Sequence, residues 1–309
     1  MSDTSFLTHW LAACPMFAAP LLLAILGLIL CERSGVLNLG AEGVMTVGAM
    51  SGVGIVVYSG STWLGLLAAM VAGMLLSFLY ALIVVVLRAN QVVSGLALVA
   101  MGAGIAGVVG TPFAQQPVPG LAPLHFGPLA HLPIIGGMLF EQDPMIYLTL
   151  VLTAALSYVL FHHRIGLNLR AIGHNPAAAD AAGLPVLRYR ILAVVAGGAL
   201  LGLAGGYLAA VSSRVWVEGM VGGRGWIAVA LVIFAKWRPV RAIVGALIFG
   251  GLDALIPRLQ ATGASIPIYV FFMLPYVVTL IALVLAALQK DQFDMPASLG
   301  RAFIREDRH

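Results

Sequence analysis

The sequence predicts an all-α polytopic membrane protein with about nine transmembrane helices, eight and ten being the alternatives. Of the 309 residues, 61% are hydrophobic and only 9% are charged, whereas soluble domains are about 45–50% apolar and about 25% charged. The mean hydropathy is +1.04. Apolar runs approaching the roughly 20 residues that cross a bilayer as a helix recur along the chain. We therefore expect a single membrane domain, residues 1–309, and no separate soluble domain.

Nine apolar segments define the expected transmembrane region, residues 11–288. They span residues 11–31, 42–58, 63–87, 91–110, 144–162, 188–211, 226–236, 240–256 and 268–288. The seventh is too short to cross a membrane straight, so we expect half of a broken helix or part of a longer bent one. The opening residues, MSDTSFLTHW, contain no Lys or Arg. They lack the basic start of a cleavable signal peptide, so we expect the first span to be retained.

Basic residues give the expected orientation, because Lys and Arg are enriched in cytoplasmic loops. If residues 164–190 are cytoplasmic, only Arg214, Arg224 and Arg258 fall outside. The other 13 of the 16 basic residues fall inside: Arg33, Arg88, Arg164, Arg170, Arg188, Arg190, Lys236, Arg238, Arg241, Lys290, Arg301, Arg305 and Arg308. We expect an outside N-terminus, an inside C-terminus and a cytoplasmic tail at residues 289–309.

Residues 111–143 are expected to form an extracytoplasmic loop. The segment contains no Lys or Arg and is rich in Pro and Gly, so it cannot run as one helix. A plain linker and a docking surface for a soluble partner are both open interpretations, since long structured loops often have a function.

The segment RIGLNLRAIGHNPAAADAAGLPVLRYR, residues 164–190, predicts a short cytoplasmic helix. Asn175 and Pro176 form a helix start, in which a capping side chain precedes a residue whose missing N–H costs nothing. Alanines at 177–179 and 181–182 favour the helix, and Gly183 ends it as a left-handed cap. A rigid helix with small side chains suits insertion into a groove on another protein. An ordinary surface turn is the alternative.

This segment resembles the coupling loop of permease subunits of ABC-type importers, in the family that serves branched-chain amino acids, simple sugars and nucleosides. The matching residues are Gly166, Arg170, Ala171, Gly173, Asn175, Pro176, Ala178, Ala179 and Gly183. SGVLNLGAEGVMTVGAM is similar to the N-terminal pattern of these permeases. GRGWIAVALVIFAKWRPVRAIVGALIFGGLDAL is similar to their nucleoside and simple-sugar branch. The resemblance covers residues from about 20 to 288 and implies a type II-like ABC importer permease fold.

The resemblance implies a transport subunit of the bacterial cytoplasmic membrane that is not itself an enzyme. The chain has no G-x-x-x-x-G-K-[ST] loop, so ATP and Mg²⁺ are expected on a separate ATPase subunit, with no cofactor or metal on this chain. The residues expected to couple to the ATPase are Arg170, Gly173, Asn175, Pro176, Ala178, Ala179 and Gly183. The other implied partners are a second permease subunit, as a heterodimer of related chains, and an extracytoplasmic substrate-binding protein or lipoprotein. Membrane lipid surrounds the chain, and no nucleic acid is expected.

Polar residues in the apolar segments are the candidates for a substrate pathway, because charges at bilayer depth are costly and face partners or water. They are Asn38, Glu42, Asn90, Gln91, Ser94, Arg224, Trp226 and Asp253. Each has a structural alternative, such as a turn at Asn38, a helix cap at Asn90, a membrane anchor at Trp226 or helix packing at Asp253.

Three local arrangements are also expected. Glu42 is expected to cap the helix that follows it, since carboxylates are favoured at helix N-termini. Glu32 and Arg33 are expected at a solvated cytoplasmic edge or paired locally. Residues 223–226 are expected on the outer side, where glycines beside a short span indicate a broken helix that binds a polar ligand.

Nucleosides or related purine and pyrimidine compounds are the expected substrates, followed by simple sugars and then branched-chain amino acids. This order follows the resemblance alone. An ion-coupled secondary transporter is a separate hypothesis, in which Glu42 and Asp253 supply the intramembrane acids, but it leaves the coupling-loop pattern unexplained. An intramembrane enzyme is disfavoured, because no Ser/His pair, paired carboxylates or His-rich motif falls within the spans.

Overall fold

Lipid offers no hydrogen-bond partners, so segments that cross it must satisfy their backbone internally, as helices do. The computed structural model describes residues 3–127, 135–261 and 295–304, with isolated positions between 273 and 284. No strand occurs among these residues. The helices are α1 (Asp3–Arg33), α2 (Ala41–Ser59), α3 (Thr62–Ala81, extended by Leu82–Val86), α4 (Gln91–Gly110, extended by Thr111–Phe113), α5 (Ile135–Leu139), α6 (Pro144–His162), α7 (Arg164–His174), α8 (Pro176–Ala181), α9 (Val186–Tyr207, extended by Leu208–Ser213), α10 (Arg224–Phe234) and α11 (Pro239–Ala261).

Seven helical segments in the described part are long and apolar enough to cross a membrane. They are Phe6–Arg33, Ala41–Ser59, Thr62–Val86, Gln91–Phe113, Pro144–His162, Val186–Ser213 and Pro239–Leu259. Each corresponds to one of the predicted spans, so the all-α polytopic class is confirmed. The short predicted span at 226–236 is α10, which has 11 residues. The predicted span at 268–288 lies outside the described residues, apart from isolated positions.

Helix α9 is the centre of the bundle and packs against α1, α2 and α3. Small residues make this possible. A Cβ at Gly48 of α2 would overlap the Gly202 carbonyl of α9, and a Cβ at Gly73 of α3 would meet the same residue. Close backbone approach gives helices in lipid the van der Waals contact that replaces a hydrophobic driving force. The interior is consequently built from Gly and Ala as much as from large apolar side chains.

One end of the bundle, which we call the α8 end, contains the end of α1, the start of α9 and the α10–α11 connection. Glu32 and Arg33 are only 2% and 7% exposed there, so the expectation of a solvated edge is wrong. The Trp237 indole N–H donates to Glu32 Oε2 at 2.6 Å. The Arg33 guanidinium donates to the Trp237 carbonyl at 3.0 and 3.2 Å. Trp237 therefore provides hydrogen-bond partners for both of these buried charged side chains.

The predicted loop at 111–143 lies at the opposite end of the bundle in its described parts, residues 111–127 and 135–143. It is irregular except for a 3-10 turn and α5, as expected from its Pro and Gly content. The Val118 N–H donates to the Arg214 carbonyl at 2.9 Å, and Thr62 Oγ1 donates to the Gly120 carbonyl at 2.8 Å. The described part of this loop is therefore packed on the helix ends.

Candidate functional site

The connection between α1 and α2 turns back into the bundle. The Leu37 N–H donates to Gln91 Oε1 of α4 at 2.7 Å, and the Tyr80 hydroxyl of α3 donates to the Leu37 carbonyl at 2.6 Å. Asn38 is buried, and its Oδ1 accepts from the Gly40 N–H at 3.0 Å. This last bond is the turn-closing role that the sequence predicts for Asn38.

Helix α2 begins beside the middle of α4. Gly43, in the first turn of α2, lies against Leu98, Val99 and Gly102 of α4, whereas α4 itself begins at Gln91. A helix rises about 1.5 Å per residue, so α2 starts roughly 10–16 Å along the α4 axis. The first turn of α2 thus lies deep within the bundle.

Glu42 lies in this first turn and binds the start of α10. The Gly223 N–H donates to Glu42 Oε1 at 2.8 Å, and the Gly225 N–H donates to Oε2 at 2.7 Å. Position 225 must be glycine, because a Cβ there would overlap the Glu42 backbone. The expectation that Glu42 caps its own helix is wrong: a carboxylate suits a helix N-terminus, but the N-terminus it caps is that of α10.

Arg224 and Asp253 form an ion pair beside this cap. Arg224 Nη2 lies 3.1 Å from Asp253 Oδ2 of α11, and both side chains are largely buried. Arg224 Nη1 also donates to the Met220 and Val221 carbonyls at 3.2 Å. Residues 223–226, which were expected on the outer side before a short span, form the start of α10 beside the first turn of α2. The side of the membrane that they face stays a prediction.

A cavity of about 190 Å³ adjoins the cap. Its polar lining includes Glu42, Thr46, Trp216 and Glu218, and its wall on α4 includes Ala103 and Gly107. Thr46, Trp216 and Glu218 were missed by the sequence analysis. Thr46 follows Glu42 by one helical turn and so lies on the same face of α2, and this spacing could have identified it from the sequence. Trp216 and Glu218 lie in a short irregular segment, and nothing in their spacing indicates the cavity.

The sequence candidates separate into two groups. Glu42, Arg224 and Asp253 are brought together, and Trp226 lies in the first turn of α10 beside them. Asn38, Asn90, Gln91 and Ser94 lie instead around the α1–α2 connection and the start of α4. Asn90 Oδ1 accepts from the Val92 and Val93 N–H groups at 2.9 and 3.1 Å, so Asn90 caps α4, the structural alternative given for it.

The predicted cytoplasmic helix is α8. Asn175 Oδ1 accepts from the Ala178 N–H at 3.0 Å, Pro176 is the first helical residue, and Gly183 has a φ of 85°. The start and end signals are therefore confirmed. Ala179 is buried against Ile172 and Val186. Asn175, Ala177, Ala178, Ala181 and Gly183 are exposed, which gives α8 an outward face of small side chains.

Helix α7, directly before α8, was not predicted. Its buried residues are Gly166, Leu169, Ile172 and Gly173, and their helical spacing was the available signal. A Cβ at Gly173 would overlap the Arg33 carbonyl. The Arg170 guanidinium lies 5.1 Å from the centre of the Phe161 ring. Of the residues assigned to coupling, Gly173 and Arg170 therefore pack inward, whereas Asn175, Ala178 and Gly183 face outward.

Membrane-capable helices around a buried polar cluster and cavity, with a short exposed helix at one end, are the arrangement expected of a multi-pass membrane transport subunit. The comparisons with known proteins specify its family. The family model of the branched-chain amino acid transport system permease component matches residues 12–286. The chain belongs to this family of ABC transporter permeases.

Three relatives illustrate the family's range. The chain is 41% identical over 266 residues to the "Putative glucose ABC transporter permease protein TsgC13" of Haloferax volcanii, covering 85% of this chain and 81% of the relative. It is 35% identical to the guanosine ABC transporter permease protein NupQ of Bacillus subtilis, covering 87% and 88%. It is 34% identical to the nucleoside ABC transporter permease protein NupC of Lactococcus lactis, covering 87% and 89%.

Family membership confirms the main functional expectation. The chain is a multi-pass permease subunit of the cytoplasmic membrane, and as such it is not an enzyme. A permease of this kind operates with an ATPase and a substrate-binding partner.

The cap on α10 predicts a graded loss of stability. Glu42→Gln keeps one acceptor oxygen and should destabilise the protein by about 1 kcal/mol, whereas Glu42→Ala leaves two buried N–H groups unpaired and should cost about 3 kcal/mol. Thermal unfolding in detergent measures both. Glu218→Gln, an acid-to-amide change at an exposed position of the same cavity, is the control and should leave the melting temperature unchanged. Equal melting temperatures for all three variants would contradict the cap.

Proposed function

We propose that this permease imports a nucleoside or a related purine or pyrimidine compound, with a simple sugar as the alternative. The observation that supports this substrate class is the cavity beside the α10 cap. Among its described lining residues, the charged side chains are two carboxylates, Glu42 and Glu218. Carboxylates accept hydrogen bonds without donating them, so they suit the hydroxyl groups that nucleosides and sugars share.

A branched-chain amino acid is matched only in part by this cavity, because two carboxylates suit its ammonium group but not its carboxylate. Its carboxylate would need hydrogen-bond donors, and the helix N-terminus nearest the cavity is the natural anion site. That N-terminus is already capped by Glu42, and Arg224 is paired with Asp253. A substrate carboxylate would instead meet two negative side chains.

A second permease subunit is part of this proposal, as a heterodimer of related chains. The cavity of about 190 Å³ is smaller than the roughly 300–1,000 Å³ of a typical ligand site. Glu218 is exposed and lies beside Gly107 of α4. Helix α4 itself exposes apolar side chains such as Val108. A carboxylate facing lipid is costly, so a partner subunit or a water-filled path is expected to cover it.

Uptake by proteoliposomes that contain the complete importer tests the substrate. We expect nucleoside uptake that unlabelled nucleoside suppresses and glucose does not. Glu218→Gln should lower uptake about tenfold, because a hydrogen bond to a charged group contributes about 1.5–3 kcal/mol. Uptake of labelled glucose that unlabelled nucleoside does not suppress would support the sugar alternative. Uptake by Glu218→Gln equal to the unsubstituted protein would remove Glu218 from the pathway.

We also propose that α8 docks on the ATPase subunit, which holds ATP and Mg²⁺. In this proposal α8 lies on the cytoplasmic side of the membrane, and the N-terminus of the chain lies outside. The exposed face of small residues on α8 supports this role, because small side chains permit close approach to a groove. Asn175, Pro176 and Gly183 shape the helix, and Ala178 lies on its outward face. Ala179, Gly173 and Arg170 hold it from beneath.

Ala178→Trp tests the docking role. A bulky side chain on the outward face should block insertion, so substrate-stimulated ATP hydrolysis should fall about tenfold or more, in line with steric costs of about 1–3 kcal/mol. Binding of the substrate-binding protein should be unaffected. Ala178→Ser is the matched control, because it keeps a small side chain at the same exposed position, and it should retain coupling. Uptake that persists without the ATPase and follows a proton or sodium gradient would instead support the ion-coupled alternative.

A further inference from the structure

The described C-terminal residues lie against the coupling end of the bundle. The Ser298 N–H donates to the Gly173 carbonyl of α7 at 3.0 Å, and its hydroxyl donates to the same carbonyl at 2.7 Å. Ser298 is 6% exposed. The Gly300 N–H donates to the Gly35 carbonyl at 3.2 Å. This short stretch therefore joins α7 to the turn that follows α1.

Arg190, at the start of α9, fixes the same stretch from the other side. It is 2% exposed, and its guanidinium donates to three acceptors. Nε donates to the Ser34 carbonyl at 3.1 Å, Nη1 to the Arg301 carbonyl at 3.2 Å and Nη2 to Ser298 Oγ at 3.2 Å. Buried charged hydrogen bonds with satisfied partners are strong and hold one geometry.

Phe303 completes the contact directly beneath α8. It packs against the apolar cluster of Ile172, Ala179 and Val186, in which Ala179 is the buried residue of α8. The same peptide thus touches the underside of α8 through Phe303 and the α1–α2 connection through Gly300. That connection leads through Asn38 to Glu42.

We propose that residues 298–303, which we call the tail brace, are a positioning element that couples movement of α8 to the α1–α2 connection and hence to the Glu42 cap. The proposal rests on the proposed docking of α8 on the ATPase. The tail brace lies beyond residues 12–286, which the family model matches. Chains of packed side chains and hydrogen-bonded groups carry coupling between two sites when they move together from one arrangement to another. Without the tail brace, the same movement of α8 would displace residues 34–40 less.

Two variants of the tail brace test this role in the complete importer. Ser298→Ala removes the hydroxyl that joins Gly173 to Arg190, and Phe303→Ala removes the contact beneath α8. Each should lower substrate-stimulated ATP hydrolysis and uptake about fivefold, as expected for variants within a coupling network. The amount of ATPase recovered with the permease should not change. Phe303→Leu should retain most of the coupling, and Ile304→Ala, at a neighbouring position that is 64% exposed, should behave as the unsubstituted protein.

The outcomes separate the tail brace from the proposed function. If Ala178→Trp uncouples the importer but Ser298→Ala and Phe303→Ala do not, the tail brace is overturned and α8 docking stands. If Ala178→Trp has no effect, the proposed docking of α8 on the ATPase is contradicted, and the tail brace, which rests on it, falls with it. A loss of uptake that only follows a loss of assembled complex would show a structural role and would also overturn the inference.

Discussion

The hydrogen bonds from the start of α10 to the Glu42 carboxylate are the interaction on which the interior arrangement depends. Helix α10 has 11 residues and begins inside the bundle, where the free N–H groups of its first turn need acceptors from other parts of the protein. Glu42 accepts from two of them and places its charge where the helix dipole favours it. Because α10 can begin there, residues 214–223 are free to form the cavity wall that includes Trp216 and Glu218.

The same carboxylate connects the two proposed functional regions. It lies on the cavity, and the chain just before it forms the turn that is held by Gln91 and Tyr80. The far end of that turn is bound by Arg190 and the tail brace, under α8. A displacement of α8 therefore has a short, buried route to the cap on α10. The route consists of packed contacts and hydrogen bonds to residues 34–40, which lie just before Glu42 in the chain.

Local sequence patterns predicted the helices and their ends, but they could not predict hydrogen bonds between residues that are far apart in the chain. The apolar runs located seven membrane-capable helices, and Asn175, Pro176 and Gly183 located α8, because these signals act over a few residues. Glu42 was singled out correctly as an acid at a helix start, but its partner lies 181 residues away along the chain. Glu32 was expected to be solvated or paired locally, because nothing nearby in sequence reveals Trp237. Hydropathy likewise gives no indication of the tail brace, which is held by backbone hydrogen bonds, the Ser298 hydroxyl and the Phe303 ring.

The most direct test of the account is whether water and substrate reach the cavity beside Glu42. Thr46→Cys places a thiol on its lining, while the native Cys14 and Cys31 are buried. In membranes that contain the complete importer, a membrane-impermeant thiol reagent should label Thr46→Cys well above the unsubstituted protein, and excess nucleoside should slow the labelling. A thiol at position 46 that remains unlabelled in the presence and absence of ATP would contradict a solute path at this site.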